Sequence, residues 1–418
     1  MRKMLIIHPH WPPSNTVGVH RVRLIANELH ANGWHATVLT VDERDIEDDL
    51  APGTQELVAP EVEVIKVRAR HVRTFMGKRL IGDIGLRAWH ALKAEAENQL
   101  KNNPFDFIWF SVPSWYTPLM GPSLHKRYKV AYGVDYRDPW VYELAQQEKG
   151  FNRATATVTA AKILEPLALQ RCALISGVSQ GYLSGIDRRY PNLRSVSTTT
   201  FQMGFSKRDH SIILSNFEVP FTEGKRTFVY AGAYSPNWEP LFHLWLRGLR
   251  KANQSGIIPP DVEFLFIGTG NPSLPSIANR AQQLGLDCLV REIPNRIPFL
   301  QVQQILRESS GAIVIGSVEP HYSASKIFQC LITAPRVMGF FHEASEGASI
   351  LAECQADSFF VPYNPNIQEE ELIDHIASAI SKFTNPNQSW DPDLSPLEAH
   401  TSARNAQNFL AAVEQIIY

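Results

Sequence analysis

The chain has 418 residues, 44% hydrophobic and 20% charged, with a formal net charge of -2. That length predicts two or three domains, and the near-neutral balance excludes a basic nucleic-acid surface or a polybasic membrane anchor as the main feature. The four cysteines, Cys172, Cys288, Cys330 and Cys354, lack metal-ligand or disulfide-framework spacing, which fits reduced thiols in a cytoplasmic protein.

Met4–Pro9 reads as a first strand, since His8 and Pro9 interrupt its apolar run too early for a signal peptide. Pro12 and Pro13 keep the next loop from becoming helical. Val19, Val22, Ile25, Ala26 and Leu29 then recur at helical spacing, and Gly33 stops the helix. Trp34–Asp42 is a strand buried on both faces, so the opening is a βαβ unit with parallel pairing. Strands follow at Val62–Ala69, Phe105–Val112, Tyr128–Asp138 and Ala173–Ser179, with helices near 86–100 and 154–171. Periodicity fades around Asp209–Lys225. A second series then begins with Thr227–Ser235 and continues through Val262–Gly270, Cys288–Pro294, Gly311–Val318, Arg336–Phe341 and Ser358–Tyr363, with helices between. Two such series predict two Rossmann-like α/β domains, 1–210 and 211–395, with an amphipathic helix over 396–418 returning to the first. No apolar run reaches the ~18–20 residues of a spanning helix.

Dinucleotide, phosphate-loop and nucleophile-elbow motifs are absent. His8 and His10 have no third ligand nearby and read as loop histidines rather than a metal pair. What remains is "GSVEPHYSASKIFQCLI", Gly316–Ile332, which places Lys326 at a helix start, where the dipole disfavours cations by about 0.3–1 kcal/mol. After the acid Glu319, the hydroxyls of Tyr322, Ser323 and Ser325, free backbone N–H groups and the Lys326 ammonium together make an anion site. Ile327, Phe328 and Leu331 would anchor the helix in the core. The plain alternative is a solvated surface lysine.

The run "SKIFQCLITAPRVMG" after a strand and Glu319 resembles the donor-site signature of retaining, family-four GT-B glycosyltransferases. "PPSNTVGVHRVRLIANELHANGWHATVLT", "EPLALQRCALISGVSQ", "FVYAGAYSPNWEPLFHLWLRGL" and "FLFIGTG" resemble other parts of that family, in the same order. The resemblance implies two Rossmann-like domains facing across a cleft. It implies that Glu319 contacts the donor sugar's hydroxyls, and that Lys326 with Ser325 holds the diphosphate. Gln329 falls where the family keeps a ribose-binding acid. Gly18 would approach the phosphates, Gly232 would lie on the facing loop, and Ile293 and Pro294 match the region that reads the base. Asp135, Arg137 or Asp138 would face the acceptor or donor sugar; an internal Arg–Asp ion pair is the alternative for that group. This chain departs from the pattern at Gly18, where a Gly-Gly pair is common, at Gln329 and Ala334, and in "GAYSPNWEP", which lacks the family's Arg and Lys.

The expected reaction is transfer of a sugar from a nucleotide-diphosphate sugar, with UDP favoured, to an acceptor hydroxyl in glycan or polysaccharide synthesis. No metal or other cofactor is expected. The acceptor could be a glycan, a lipid-linked sugar or a small molecule; nucleic acid is not a partner. Two rivals stay open: a nucleotide-sugar epimerase of the same fold, and a non-catalytic protein that binds nucleotide or glycan. Cations around apolar residues in Val67–Ala96 suggest either a peripheral contact with the inner face of a membrane or a solvated helix with domain contacts.

Overall fold

The computed structural model describes every residue except 48–49, 73, 76–77, 80–81, 142–152, 194–195, 321–325 and 418. The chain divides into two units, Met1–Gly204 with His400–Tyr418, and Phe205–Ala399.

The first unit begins β1 (Arg2–Ile7), α1 (Val17–Leu29), β2 (Trp34–Val41) and β3 (Glu63–Val67). A short ribbon, β4 (Thr74–Phe75) and β5 (Lys78–Arg79), precedes α2 (Ile84–Arg87) and α3 (Trp89–Asn102). Then come β6 (Phe107–Val112), α4 (Gly121–Tyr128), β7 (Ala131–Tyr136), α5 (Arg153–Leu169), β8 (Leu174–Gly177), α6 (Gln180–Arg189) and β9 (Ser197–Thr200). The seven-stranded sheet has the order β3-β2-β1-β6-β7-β8-β9, parallel throughout. Strand β6 shows why it is helix-covered on both sides. Phe107 and Trp109 enter one core while Ile108, Phe110 and Val112 enter the other, all fully buried. Gly33, at φ +79°, ends the first helical segment in the left-handed conformation that glycine adopts without strain.

Strand β9 lies beyond the last strand that hydrophobic pattern predicts. Its sequence, STTT, is largely exposed and has no apolar alternation; pairing with β8 alone makes it a strand. A polar edge of this kind also discourages sheet extension.

The second unit contains α7 (Lys207–Ser211), β10 (Arg226–Ala231), α8 (Glu239–Gln254), β11 (Val262–Ile267) and α9 (Ile277–Gln283). It continues with β12 (Val290–Ile293), α10 (Phe299–Glu308), β13 (Gly311–Ile315), α11 (Lys326–Thr333) and β14 (Val337–His342). It closes with α12 (Glu346–Glu353), β15 (Phe360–Tyr363) and α13 (Glu369–Thr384). Its six parallel strands have the order β12-β11-β10-β13-β14-β15. The last helix, α14 (Ser402–Ile417), packs on α1 and β9 of the first unit. The Phe409 ring there lies 4.7 Å from Trp109 and 5.8 Å from Phe201.

Each sheet has one place where successive strands depart in opposite directions. In the first it lies between β1 and β6, in the second between β10 and β13. Open parallel sheets bind ligands outside the carboxyl ends of the strands at such points.

Candidate functional site

At the switch point of the second unit, β10 ends in Ala231 and Gly232 follows. Ile327, Phe328 and Leu331 bury one face of α11 in the core, at 0%, 1% and 2% exposure, which leaves Lys326 directed elsewhere. Its ammonium lies directly over Gly232: a Cβ added to that glycine would fall 1.5 Å from Lys326 Nζ. Lys326 Nζ donates to the Tyr230 hydroxyl at 3.2 Å and is 4.9 Å from the Tyr230 ring and 5.7 Å from that of Trp238. These rings face the cation with their negative quadrupole, replacing part of the hydration lost on burial. Burial still pushes the Lys326 pKa down to about 8, and the charge of Arg296 adds to the shift. Among the described residues, no carboxylate pairs with Lys326.

The β11–α9 loop forms the adjoining wall. Gly268, at φ +76°, donates its N–H to the Ile293 carbonyl at 2.8 Å, and Gly270 donates to the Pro294 carbonyl at 2.9 Å. Ile293 and Pro294 are thereby fixed against the glycine loop, each carbonyl keeping one lone pair. A side chain at Gly270 would meet the Pro294 oxygen at 2.8 Å. Glu292 braces the loop by accepting from Thr269 Oγ1 at 2.5 Å and from the Ala278 N–H at 2.9 Å. Glu319 is exposed in the loop after β13, its N–H donating to the buried Ser317 Oγ at 3.1 Å. Gln329 is half-buried on α11, three residues beyond Lys326. Tyr322, Ser323 and Ser325 lie outside the described residues.

The first unit brings together Gly18, His8 and Arg137 at its own switch point. The Cβ position of Gly18 is 3.9 Å from both His8 Nε2 and Arg137 Nε. Burial pushes the His8 pKa down to about 3, with His10 adding to the effect, so the ring is neutral near pH 7. Its Nδ1–H donates to the Ser111 carbonyl at 3.3 Å, tying β1 to β6. Arg137 pairs with Asp138, one residue on.

Asp135 is different. Its carboxylate is fully buried and receives the Arg21 guanidinium through two hydrogen bonds of 2.8 and 2.7 Å. Ser111 Oγ donates to it at 3.1 Å and Ser176 Oγ at 2.8 Å. With every lone pair directed inward, Asp135 has no surface with which to meet a sugar. The internal Arg–Asp alternative describes it, with Arg21 as the partner. Arg21 also donates to the Phe201 and Gln202 carbonyls, so one side chain ties α1 to β7 and to the segment after β9. Removing one partner of such a buried pair costs about 3–5 kcal/mol.

In Val67–Ala96, Arg68 pairs with Asp45 at 2.7 Å, and the buried Arg87 reaches Glu47 at 3.6 Å. Both cations therefore make contacts within the unit. Among the described residues, no cluster of three or more His, Cys, Asp or Glu could hold a metal ion, and no helix is long and apolar enough to cross a membrane.

No family model matches the sequence, and no curated protein is significantly similar to it. Solved structures do match along the whole chain. An α,α-trehalose 6-phosphate synthase from Burkholderia multivorans superposes with a TM-score of 0.61 at 12% identity, covering 99% of this chain and 96% of its own. HepE of Anabaena in complex with UDP gives 0.55 at 13% identity, covering 100% and 96%. Sucrose-phosphate synthase from Thermosynechococcus elongatus gives 0.55 at 14%, covering 100% and 95%. The fold is GT-B.

Motif order in the sequence points to this GT-B fold, to Gly232 and to Lys326. It gives no hint of Tyr230 and Trp238, whose rings matter only because α11 returns beside β10. Arg21 does leave a signal: a cation on the apolar face of a helix pattern implies a buried acid somewhere in the unit.

Proposed function

We propose that this chain is a glycosyltransferase that moves a sugar from a nucleotide-diphosphate sugar, with UDP favoured, to an acceptor hydroxyl. The observation that carries this reading is the Lys326 ammonium over Gly232, at the switch point of a parallel sheet, with no carboxylate partner among the described residues. Departure of a nucleoside diphosphate builds negative charge on the leaving oxygen. A fixed cation in a partly desolvated place lowers that barrier without having to reorganise. In this reading Lys326, with Ser325, Tyr322 and Ser323, holds the diphosphate. Glu319 meets the donor sugar, Gln329 the ribose, and the Ile293–Pro294 backbone the base. On the first unit Gly18 approaches the phosphates, and Arg137 and Asp138 meet the sugar or its acceptor. Transfer is retaining, the leaving oxygen taking the acceptor's proton, and needs no metal. Two neighbours, HepE in complex with UDP-glucose and an Escherichia coli protein bound with UDP-2-fluoro glucose, support a UDP-sugar as donor.

Thermal-shift screening against UDP, GDP, ADP, CMP and their sugars identifies the base. With the matching donor, Lys326→Ala is expected to lower the rate of nucleotide release at least about a hundredfold. An unchanged rate would remove Lys326 from the site. One observation favours a second reading, nucleotide binding without transfer: Ala233–Trp238 contains no Lys or Arg. Nucleotide binding with no turnover across a broad acceptor panel would select it.

A further inference from the structure

A nucleoside diphosphate brings several negative charges, and Lys326 supplies one positive charge. The loop leaving β10 adds none. The loop between β12 and α10 does carry a cation, the exposed Arg296. It lies against Gly268, whose Cβ position is 3.9 Å from both Cα and Cγ of Arg296 and 3.7 Å from the Gly232 carbonyl oxygen. The same Gly232 carries Lys326 Nζ at its own Cβ position. A cation at the start of α11 and another from the β12–α10 loop therefore flank one pair of glycines at the ends of β10 and β11.

Two acids on the adjoining elements are engaged elsewhere. Glu292 is held by Thr269 and the Ala278 N–H, and Glu239 pairs with Arg280 at 2.8 Å. Among the described residues, Arg296 pairs with no carboxylate. Its charge reaches Lys326, where it helps to lower the pKa. Like charges that act on one another in this way are destabilising unless an anion lies between them. An arginine fork also suits phosphate oxygens, which it can bind through two parallel hydrogen bonds.

We propose that Arg296 is the second cation of the diphosphate site, a role that rests on the nucleotide-sugar reading above. It takes the place of the basic residues missing from Ala233–Trp238 and makes this site prefer a diphosphate over the bare nucleoside.

Calorimetric titration of the full chain with UDP, GDP, ADP and uridine tests this. Arg296→Gln is expected to weaken UDP binding about tenfold or more, to leave uridine binding unchanged, and to flatten the salt dependence of UDP affinity. Arg296→Lys should recover part of the loss. UDP affinity within about twofold of wild type in Arg296→Gln, with Lys326→Ala strongly weakened, would overturn the role of Arg296 and leave the site intact. Equal losses for UDP and uridine would also overturn it, since Arg296 would then serve the base or the fold. If the wild-type chain binds none of UDP, GDP and ADP, the nucleotide-sugar reading itself fails.

Discussion

Lys326 carries its charge in a place that burial makes unfavourable, and pH exposes this. Its pKa falls from the ordinary 10.5 to about 8 in the folded chain. Between those values the unfolded chain holds a proton that the folded one has lost, so ligand-free stability rises with pH across the window. The penalty is fully present below about pH 8 and gone above 10.5. An anion reverses the balance by favouring the charged form. UDP binding is therefore expected to take up a proton near and above pH 8, and affinity to fall as pH rises from about 7 to 9. Titrations in buffers of different ionisation enthalpy measure the uptake, and Lys326→Met should abolish it. Affinity that does not fall over this range would mean that Lys326 is not at the anion.

At the scale of elements, two glycines of the second unit separate packing from function. Gly248 on α8 lets α13 approach closely: its Cβ position is 2.3 Å from Cγ2 and 2.6 Å from Cβ of Ile376. Both are helix-borne and buried, so neither can yield cheaply. Gly248→Val is expected to cost about 1–3 kcal/mol and to lower the melting temperature by several degrees. Gly232 meets only the tip of a flexible lysine. Gly232→Ala should leave the melting temperature close to wild type while displacing Lys326 Nζ and weakening UDP binding about tenfold or more. Differential scanning calorimetry with UDP titration separates the two outcomes. A Gly232→Ala protein that melts early but binds normally would contradict this assignment.

At the scale of the whole molecule, the chain leaves its first unit after Gly204 and re-enters it at His400. Helix α14 brings Phe409, Leu410 and Val413 into the core beside Trp109 and Phe201, with at most 4% exposure each. Side chains of this size contribute about 1.5–3 kcal/mol each when fully buried. Three of them rival the net stability of a domain, about 5–15 kcal/mol. Truncation after Thr401 is therefore expected to unfold the first unit, seen as loss of its thermal transition and insolubility on expression. A truncated chain that melts like the full one would show that α14 is dispensable.

Local pattern alone determined a good deal. Alternating and continuous apolar runs fix β1, β2, β6 and β10 because both faces of a parallel sheet must be buried. Gly33 marks a helix end because only a residue tolerant of positive φ fits there. The order of strands and helices, together with "SKIFQCLI", reaches the two-unit architecture and Lys326. Tertiary structure decided what local pattern cannot encode. The strand character of Ser197–Thr200 comes from its neighbour, not its own residues. Asp135 pairs with Arg21, 114 positions away, because the strand order β1-β6-β7 brings Asp135 within reach of a long side chain on α1. Arg296 stands beside Gly268 because β12 lies at the sheet edge next to β11. Contacts at such sequence distances depend on strand order, and no window of a few residues carries that order.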